Sequence, residues 1–245
     1  MGEENLITDL RALRRALEGG ASVEKVVWRQ GEAPPPGLWA LVRRYHLPVQ
    51  QVPAPALPSR SSWAAYLSPI KLYKLEECLL EEPQGVAIAL VGISDVRNIG
   101  AIIRTAVAFG VRWMLLRARG MPLLSEEGIW RASAGALTHL RIIRTERLFQ
   151  VLQQLKAQGW FLLATVPPHE GIATSYLEWD WQKPSLLLIG QEDQGLPPAY
   201  QQLCNRVITI PHELSVESLN VSVATGIILG WAYICHRRGE TASIT

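Results

Sequence analysis

The stretch Val86-Ala-Ile-Ala-Leu-Val-Gly-Ile93 constrains this chain more than any other. A strand with one wet face would alternate apolar and polar residues, and this one does not. It reads as a strand covered on both faces, as in a parallel sheet flanked by helices. Further apolar runs follow at 111–116, 140–143, 161–166, 185–189 and 207–210. Between them lie segments of helical pattern at 98–109, 126–137, 147–158, 197–204 and 220–236. Gly110 and Gly159 close two of these helices. Regular alternation of strand and helix predicts an α/β layer fold with a mainly parallel sheet.

The chain before this block is organised differently. Leu6, Leu10, Leu13 and Leu17 recur at helical spacing with Arg11, Arg14 and Arg15 between them, and Gly19-Gly20 stops the helix. A short strand at 23–28, a break at Pro34-Pro35-Pro36-Gly37, a helix at 38–45 and a strand beginning at Leu47-Pro48-Val49 follow. A Pro-rich loop covers 53–60, and 61–69 holds a last strand. Residues 75–85 read as a connection. A chain of 245 residues suits one large or two small domains, and these patterns divide it into 1–78 and 79–245.

Charge separates the same blocks. Net charge is only +2, which excludes a polycation, yet residues 97–147 carry nine Arg, no Lys and three Glu. Arginine forks bind phosphate in bidentate fashion and stack on bases, so a nucleic-acid-facing surface is weighed against scattered surface residues. No apolar run reaches the roughly 18 residues of a membrane span. The acidic start lacks signal-peptide order. Cys78, Cys204 and Cys235 stand far apart, so a reducing, cytoplasmic setting is expected. The five histidines and three cysteines never fall at zinc spacing. No dinucleotide fingerprint, phosphate-binding loop or nucleophile elbow is present.

What remains are three strand-to-loop junctions. In the first, Asp95-Val-Arg-Asn98-Ile-Gly100-Ala-Ile-Ile-Arg104, polar groups sit where a helix starts. Asn98 is either a helix cap or a site residue. Six residues of helix turn about 600°, so Asn98 and Arg104 share a face only if Asn98 lies in the preceding loop. Arg104 lies among Ile102, Ile103 and Ala106, which suggests a partly buried guanidinium with a specific partner. The second junction, Gly190-Gln-Glu192-Asp-Gln-Gly195-Leu196, ends an apolar strand between two glycines, where parallel sheets bind ligands. Its plain alternative is a turn capped by Asp193. The third runs from Ile210-Pro211 to Ser218-Leu-Asn220-Val-Ser-Val-Ala224. Ser218 is a simple N-cap candidate, although a helix start also offers free N–H groups to a ligand.

In this order and spacing the junctions resemble the SpoU (TrmH-like) branch of the SPOUT superfamily of RNA methyltransferases. Asn98, Gly100 and Arg104 fit its first motif. Gly190, Glu192, Gly195 and Leu196 fit the second, and Ile210-Pro211 with Ser218 to Ala224 the third. The small-residue stretch Trp130 to Ala136 fits as well. His212 stands where the family usually has Met. The resemblance implies a SPOUT catalytic domain with a C-terminal trefoil knot, and S-adenosylmethionine as cofactor. It implies a cofactor pocket of Thr165, Gly190, Ile210 and Leu219, and a catalytic set of Arg104, Asn98, Glu192, Ser218 and Asn220. It implies a homodimer using the helix from Asn220 and an RNA substrate (ribosomal RNA ahead of transfer RNA); the His and Cys spacing leads us to expect no metal. Residues 5–78 are similar to the family's small ribosomal-protein-like α/β RNA-binding domain. The implied reaction is ribose 2′-O-methylation. The readings against it are a non-catalytic RNA-binding or ribosome-assembly protein on the same fold, and a small-molecule α/β enzyme.

Overall fold

The computed structural model describes residues 6–58, 61–68, 70–119, 124, 127–168, 173–191, 193–213 and 215–242. The first part of the chain forms β1 (Leu6–Ile7), α1 (Leu10–Glu18), β2 (Val23–Arg29), α2 (Pro36–Tyr45), β3 (Val49–Val52) and β4 (Trp63–Leu67). Its sheet has the order β1-β4-β2-β3, parallel only between β2 and β3. Leu6, expected to open a helix, instead pairs with Tyr66 in β1. The helix starts later because Asp9 caps it: the carboxylate accepts from the Ala12 N–H at 2.7 Å. α1 buries Ala12, Leu13, Ala16 and Leu17 and leaves Arg11, Arg14 and Arg15 exposed.

The connection is partly ordered as α3 (Leu75–Leu79), where the Glu77 carboxylate accepts from the Lys74 N–H at 2.9 Å. Just before it, the Tyr73 N–H donates to the Ile142 carbonyl at 2.8 Å. The rest of the chain forms β5 (Val86–Leu90), α4 (Val96–Ala108), β6 (Trp113–Arg117), α5 (Glu127–Ser133), β7 (Arg141–Thr145), α6 (Leu148–Ala157), β8 (Phe161–Thr165), β9 (Thr174–Ser175), β10 (Ser185–Ile189), α7 (Pro198–Leu203), β11 (Arg206–Thr209) and α8 (Val221–Ala242). The seven strands order as β7-β6-β5-β10-β8-β11-β9, and every pairing is parallel.

Strand residues point alternately into two apolar cores. Ile88, Leu90, Met114, Leu163 and Leu187 face one, and Ala87, Ala89, Leu115, Leu162 and Leu188 the other. That is why these strands lack polar alternation.

Most boundaries lie within two residues of the expected ones, and three differences are larger in kind. α5 stops at Ser133, because Ala134 (φ 52°) and Gly135 (φ 84°) turn left-handed before a 3-10 turn at Ala136–His139. α8 continues past His236 to Ala242. β9 has two residues, too few to show a period.

Helix packing then fixes α4. A Cβ on Gly100 would lie 2.4 Å from the Ala132 Cβ of α5. On the other side, Gly226 and Gly230 of α8 face Thr105 and the Phe109 ring. Glycine is required at position 100 because the two helices leave no room for a side chain there.

Candidate active site

β10, β8 and β11 are neighbours in a parallel sheet, so the loops after them emerge together. The Thr165 hydroxyl, ending β8, donates to the Leu188 carbonyl of β10 at 2.9 Å. After β10 the chain turns sharply. Gln191 and Gly195 exchange two backbone hydrogen bonds of 3.0 Å, and Gly195 adopts φ 62°. A Cβ on Gly190 would lie 2.3 Å from the Gly195 carbonyl carbon, so the glycines of the second motif exist for this close approach. Between these loops, residues 217–219 and the start of α8 lies a cavity of about 250 Å³.

Thr165, Gly190, Ile210 and Leu219, the four expected cofactor residues, all line this cavity, and so does Ser218. Its walls include apolar Leu187, Ile189, Ile208 and Ile228. Two polar groups in its lining were not singled out from sequence as site residues. The Thr209 Oγ1 and His212 Nε2 are shielded from solvent and have no hydrogen-bond partner among the described residues. The His212 Nδ1 lies 2.9 Å from the Ile210 carbonyl. A carbonyl only accepts, so Nδ1 donates, and in the neutral ring Nε2 is left as an acceptor. Thr209 looked like an ordinary strand residue. Pro167-Pro168 after β8, also in the lining, was the one local signal of a loop worth marking.

The catalytic residues expected from the resemblance fall into separate places. Asp95 caps α4, accepting from the Arg97 N–H at 2.8 Å and pairing with its guanidinium at 2.7 Å. These bonds from Arg97 hold the Asp95 carboxyl below its ordinary range. Asn98 is therefore neither the cap nor in the loop but inside the first turn of α4. Its Oδ1 accepts from the Asn220 Nδ2 at 3.2 Å. The Asn220 Oδ1 accepts from the Ser222 N–H at 3.0 Å and hydroxyl at 2.6 Å, capping α8. One asparagine thus joins the start of α4 to the start of α8, beside Leu219 and Val221 in the cavity lining.

Arg104 is not partly buried. It is exposed on α4 and makes no ion pair with a described residue, because Ile102, Ile103 and Ala106 take the core-facing positions. With Asn98 inside the helix, Arg104 points about a third of a turn away from it. Glu192 lies outside the described residues.

A wholly parallel sheet with a lined cavity at the carboxyl ends of adjacent strands defines an α/β ligand-binding protein. Residues 85–230 match the model of the SpoU rRNA methylase family, and the chain belongs to that family. Its members are RNA methyltransferases that use S-adenosylmethionine.

An uncharacterized tRNA/rRNA methyltransferase of Archaeoglobus fulgidus is 32% identical over 228 residues, covering 91% of this chain and 96% of that one. A similarly named protein of Mycobacterium avium is 34% identical over 165 residues. That match covers 66% of this chain but only 52% of the relative, so the chain spans about half its length. Among solved structures, the SpoU methyltransferase AviRb of Streptomyces viridochromogenes has the same fold (TM-score 0.75, 23% identity, 96% of this chain and 90% of that one). An AdoMet-bound rRNA methyltransferase of Sinorhizobium meliloti aligns with TM-score 0.68 and 26% identity over 93% of this chain and 85% of that one.

Proposed function

We propose that this chain methylates a ribose 2′-hydroxyl of RNA, ribosomal RNA ahead of transfer RNA, with S-adenosylmethionine as donor. The observation that carries the reading is the single cavity that gathers Thr165, Gly190, Ile210, Ser218 and Leu219 beside the Asn98–Asn220 bond. The cavity fits the cofactor: apolar walls suit a nucleoside, and Thr209 and His212 carry buried polar atoms with no partner among the described residues. Thr165, Ile210 and Leu219 would flank the cofactor, and Gly190 would let it approach the backbone. When bound, it supplies an electrophilic methyl on a sulfonium.

The chain's own residues do the rest. Asn98 and Asn220, each fixed by the other, orient groups at the α4–α8 edge. Arg104 projects freely and suits an incoming phosphate or the developing charge of the 2′-oxygen. A guanidinium is a poor base, so we assign Arg104 to orientation and charge stabilisation rather than proton removal. Ser218 and Glu192 complete the catalytic set by resemblance.

The same reading takes residues 1–78 as an RNA-binding domain, 79–245 as a knotted catalytic domain, and a homodimer as the working unit. Val223, Ile227 and Ile234 lie within about 40° of each other around α8 and are 51%, 37% and 44% exposed. Such an apolar stripe suits a partner helix.

The test is to incubate the protein with methyl-labelled cofactor and unmodified total RNA, separate ribosomal from transfer RNA, and digest to nucleosides. Label on a 2′-O-methyl nucleoside is expected. Label on a base would overturn the ribose assignment. Absence of both label and cofactor binding would favour a non-catalytic RNA-binding protein.

A further inference from the structure

α1 of the first sheet and the turn after α5 meet backbone to backbone. A Cβ on Gly19, the C-cap of α1, would lie 2.5 Å from the Gly135 oxygen and 2.6 Å from its Cα. A Cβ on Gly135 would lie 2.4 Å from the Arg15 carbonyl oxygen and 3.0 Å from the Gly19 Cα. The Thr138 hydroxyl donates to the Gly19 carbonyl. One apolar core runs through the contact, joining Leu13, Ala16 and Leu17 to Ile99, Ile103 and Ile129. α5 in turn presses Ala132 against Gly100, two residues after Asn98. Two close contacts in series, Gly19 on Gly135 and Ala132 on Gly100, therefore link α1 to the helix that carries Asn98 and Arg104. The outer face of α1 exposes Arg11, Arg14 and Arg15, none of which makes an ion pair with a described residue.

We propose that the Gly19–Gly135 contact is a positioning joint, holding the arginine face of α1 in fixed register with the Asn98–Arg104 edge so that one RNA is gripped at both. The proposal rests on the RNA methyl-transfer reading above. Methyl transfer demands in-line placement, and a displacement of about 1 Å costs on the order of 100-fold in rate. A first domain tied only by the short segment after Leu67 would sample many orientations. The contact removes that freedom without touching the cofactor cavity.

Gly19 provides a clean probe. Its φ of −82° and ψ of 7° suit alanine, so Gly19→Ala needs no unusual backbone conformation, and the nearest atoms to the new methyl are those of the Gly135 backbone. Thr138→Val removes the hydroxyl contact, and Glu18→Ala is the exposed neighbouring control.

For Gly19→Ala, kcat for RNA methylation is expected to fall at least tenfold, with KM for RNA changing less than threefold. S-adenosylhomocysteine affinity should stay within twofold. Thr138→Val should lower kcat about threefold. Transfer within twofold of wild type in Gly19→Ala would overturn the proposal. So would cofactor affinity falling in step with transfer, since the contact would then merely support the catalytic fold. If the wild-type chain methylates no RNA, the functional reading fails and small-angle scattering still decides the joint: a larger maximum dimension in Gly19→Ala supports it, and an unchanged one rejects it.

Discussion

Two polar clusters at opposite ends of the seven-stranded sheet's strands pair their groups to different extents. At the amino ends of β6 and β7, Glu81 accepts from the Trp113 Nε1 at 3.2 Å and from Arg141, and it faces Arg112 at 3.9 Å. Tyr73 packs edge-on against Trp113 with ring centroids 5.6 Å apart, and the Arg141 guanidinium lies 5.3 Å from the Trp113 ring centre. This cluster satisfies itself. At the carboxyl ends of β8, β10 and β11, Thr209 and His212 keep polar atoms without partners among the described residues, and Gly190 packs directly against the Gly195 backbone. Native interiors pair nearly all buried polar groups. The amino ends also hold a cavity, lined by Glu81, Trp113 and Trp160, in which the buried Trp160 Nε1 has no partner among the described residues. The contrast therefore lies between the Glu81 cluster, which holds the fold, and the Thr209–His212 cavity, which under the proposed reading takes the ligand.

The largest effect expected from this contrast is at Gly190. In Gly190→Ala the new Cβ meets the Gly195 backbone, which cannot swing aside as a flexible side chain would. S-adenosylhomocysteine affinity measured by calorimetry should fall at least about 100-fold, roughly 2.7 kcal/mol, together with the melting temperature. Retained affinity would mean that the narrow turn is not part of the binding cavity.

Arg104→Ala comes next. Because the residue is exposed and makes no ion pair with a described residue, stability should change by less than about 0.5 kcal/mol. Initial rates of RNA methylation should drop at least about 100-fold with cofactor affinity intact. Near-native turnover would remove Arg104 from the catalytic set.

Asn220 separates two roles within one side chain. Asn220→Asp keeps the oxygen that caps α8 and loses the Nδ2 that donates to Asn98. Asn220→Ala loses both and should cost about 1 kcal/mol in urea unfolding. Asn220→Asp should keep most of that stability yet lose several-fold in turnover. Equal turnover in Asn220→Asp and wild type would reduce Asn220 to a structural cap.

How far these features could be read in advance depended on where their causes lie. Apolar runs and glycine stops are local, so most strands and most helices followed from the sequence. The strand-to-loop junctions were also local, and Gly190 and Ile210, marked from the sequence, both line one cavity. Other features depend on neighbours distant in the chain. Leu6 continued the leucine spacing of α1 yet pairs with Tyr66, sixty residues away. Arg104 looked enclosed by isoleucines, but only packing decides which side of α4 faces the core. Gly19 read as a helix stop and Gly135 as part of a small-residue helix, and their contact across 116 residues exists only in the fold.

The smallest effect tests the Glu81 cluster. Burial alone would raise the Glu81 pKa, but hydrogen bonds from Trp113 and Arg141 outweigh it and hold the carboxyl below its ordinary value. A carboxyl lowered on folding adds stability above its unfolded pKa of about 4.3, and that contribution is lost as pH falls through the folded value. The side chain is 33% exposed, so solvent screening keeps the contribution to about 1 kcal/mol or less. Urea unfolding at pH 7 should therefore show Glu81→Gln slightly less stable than wild type. At pH 3 the gap should close, because wild-type Glu81 is then increasingly neutral and bonds to Trp113 and Arg141 no better than glutamine does. A gap that persists at low pH would mean that the cluster stabilises the fold through packing of Tyr73 and Trp113 rather than through the charge of Glu81.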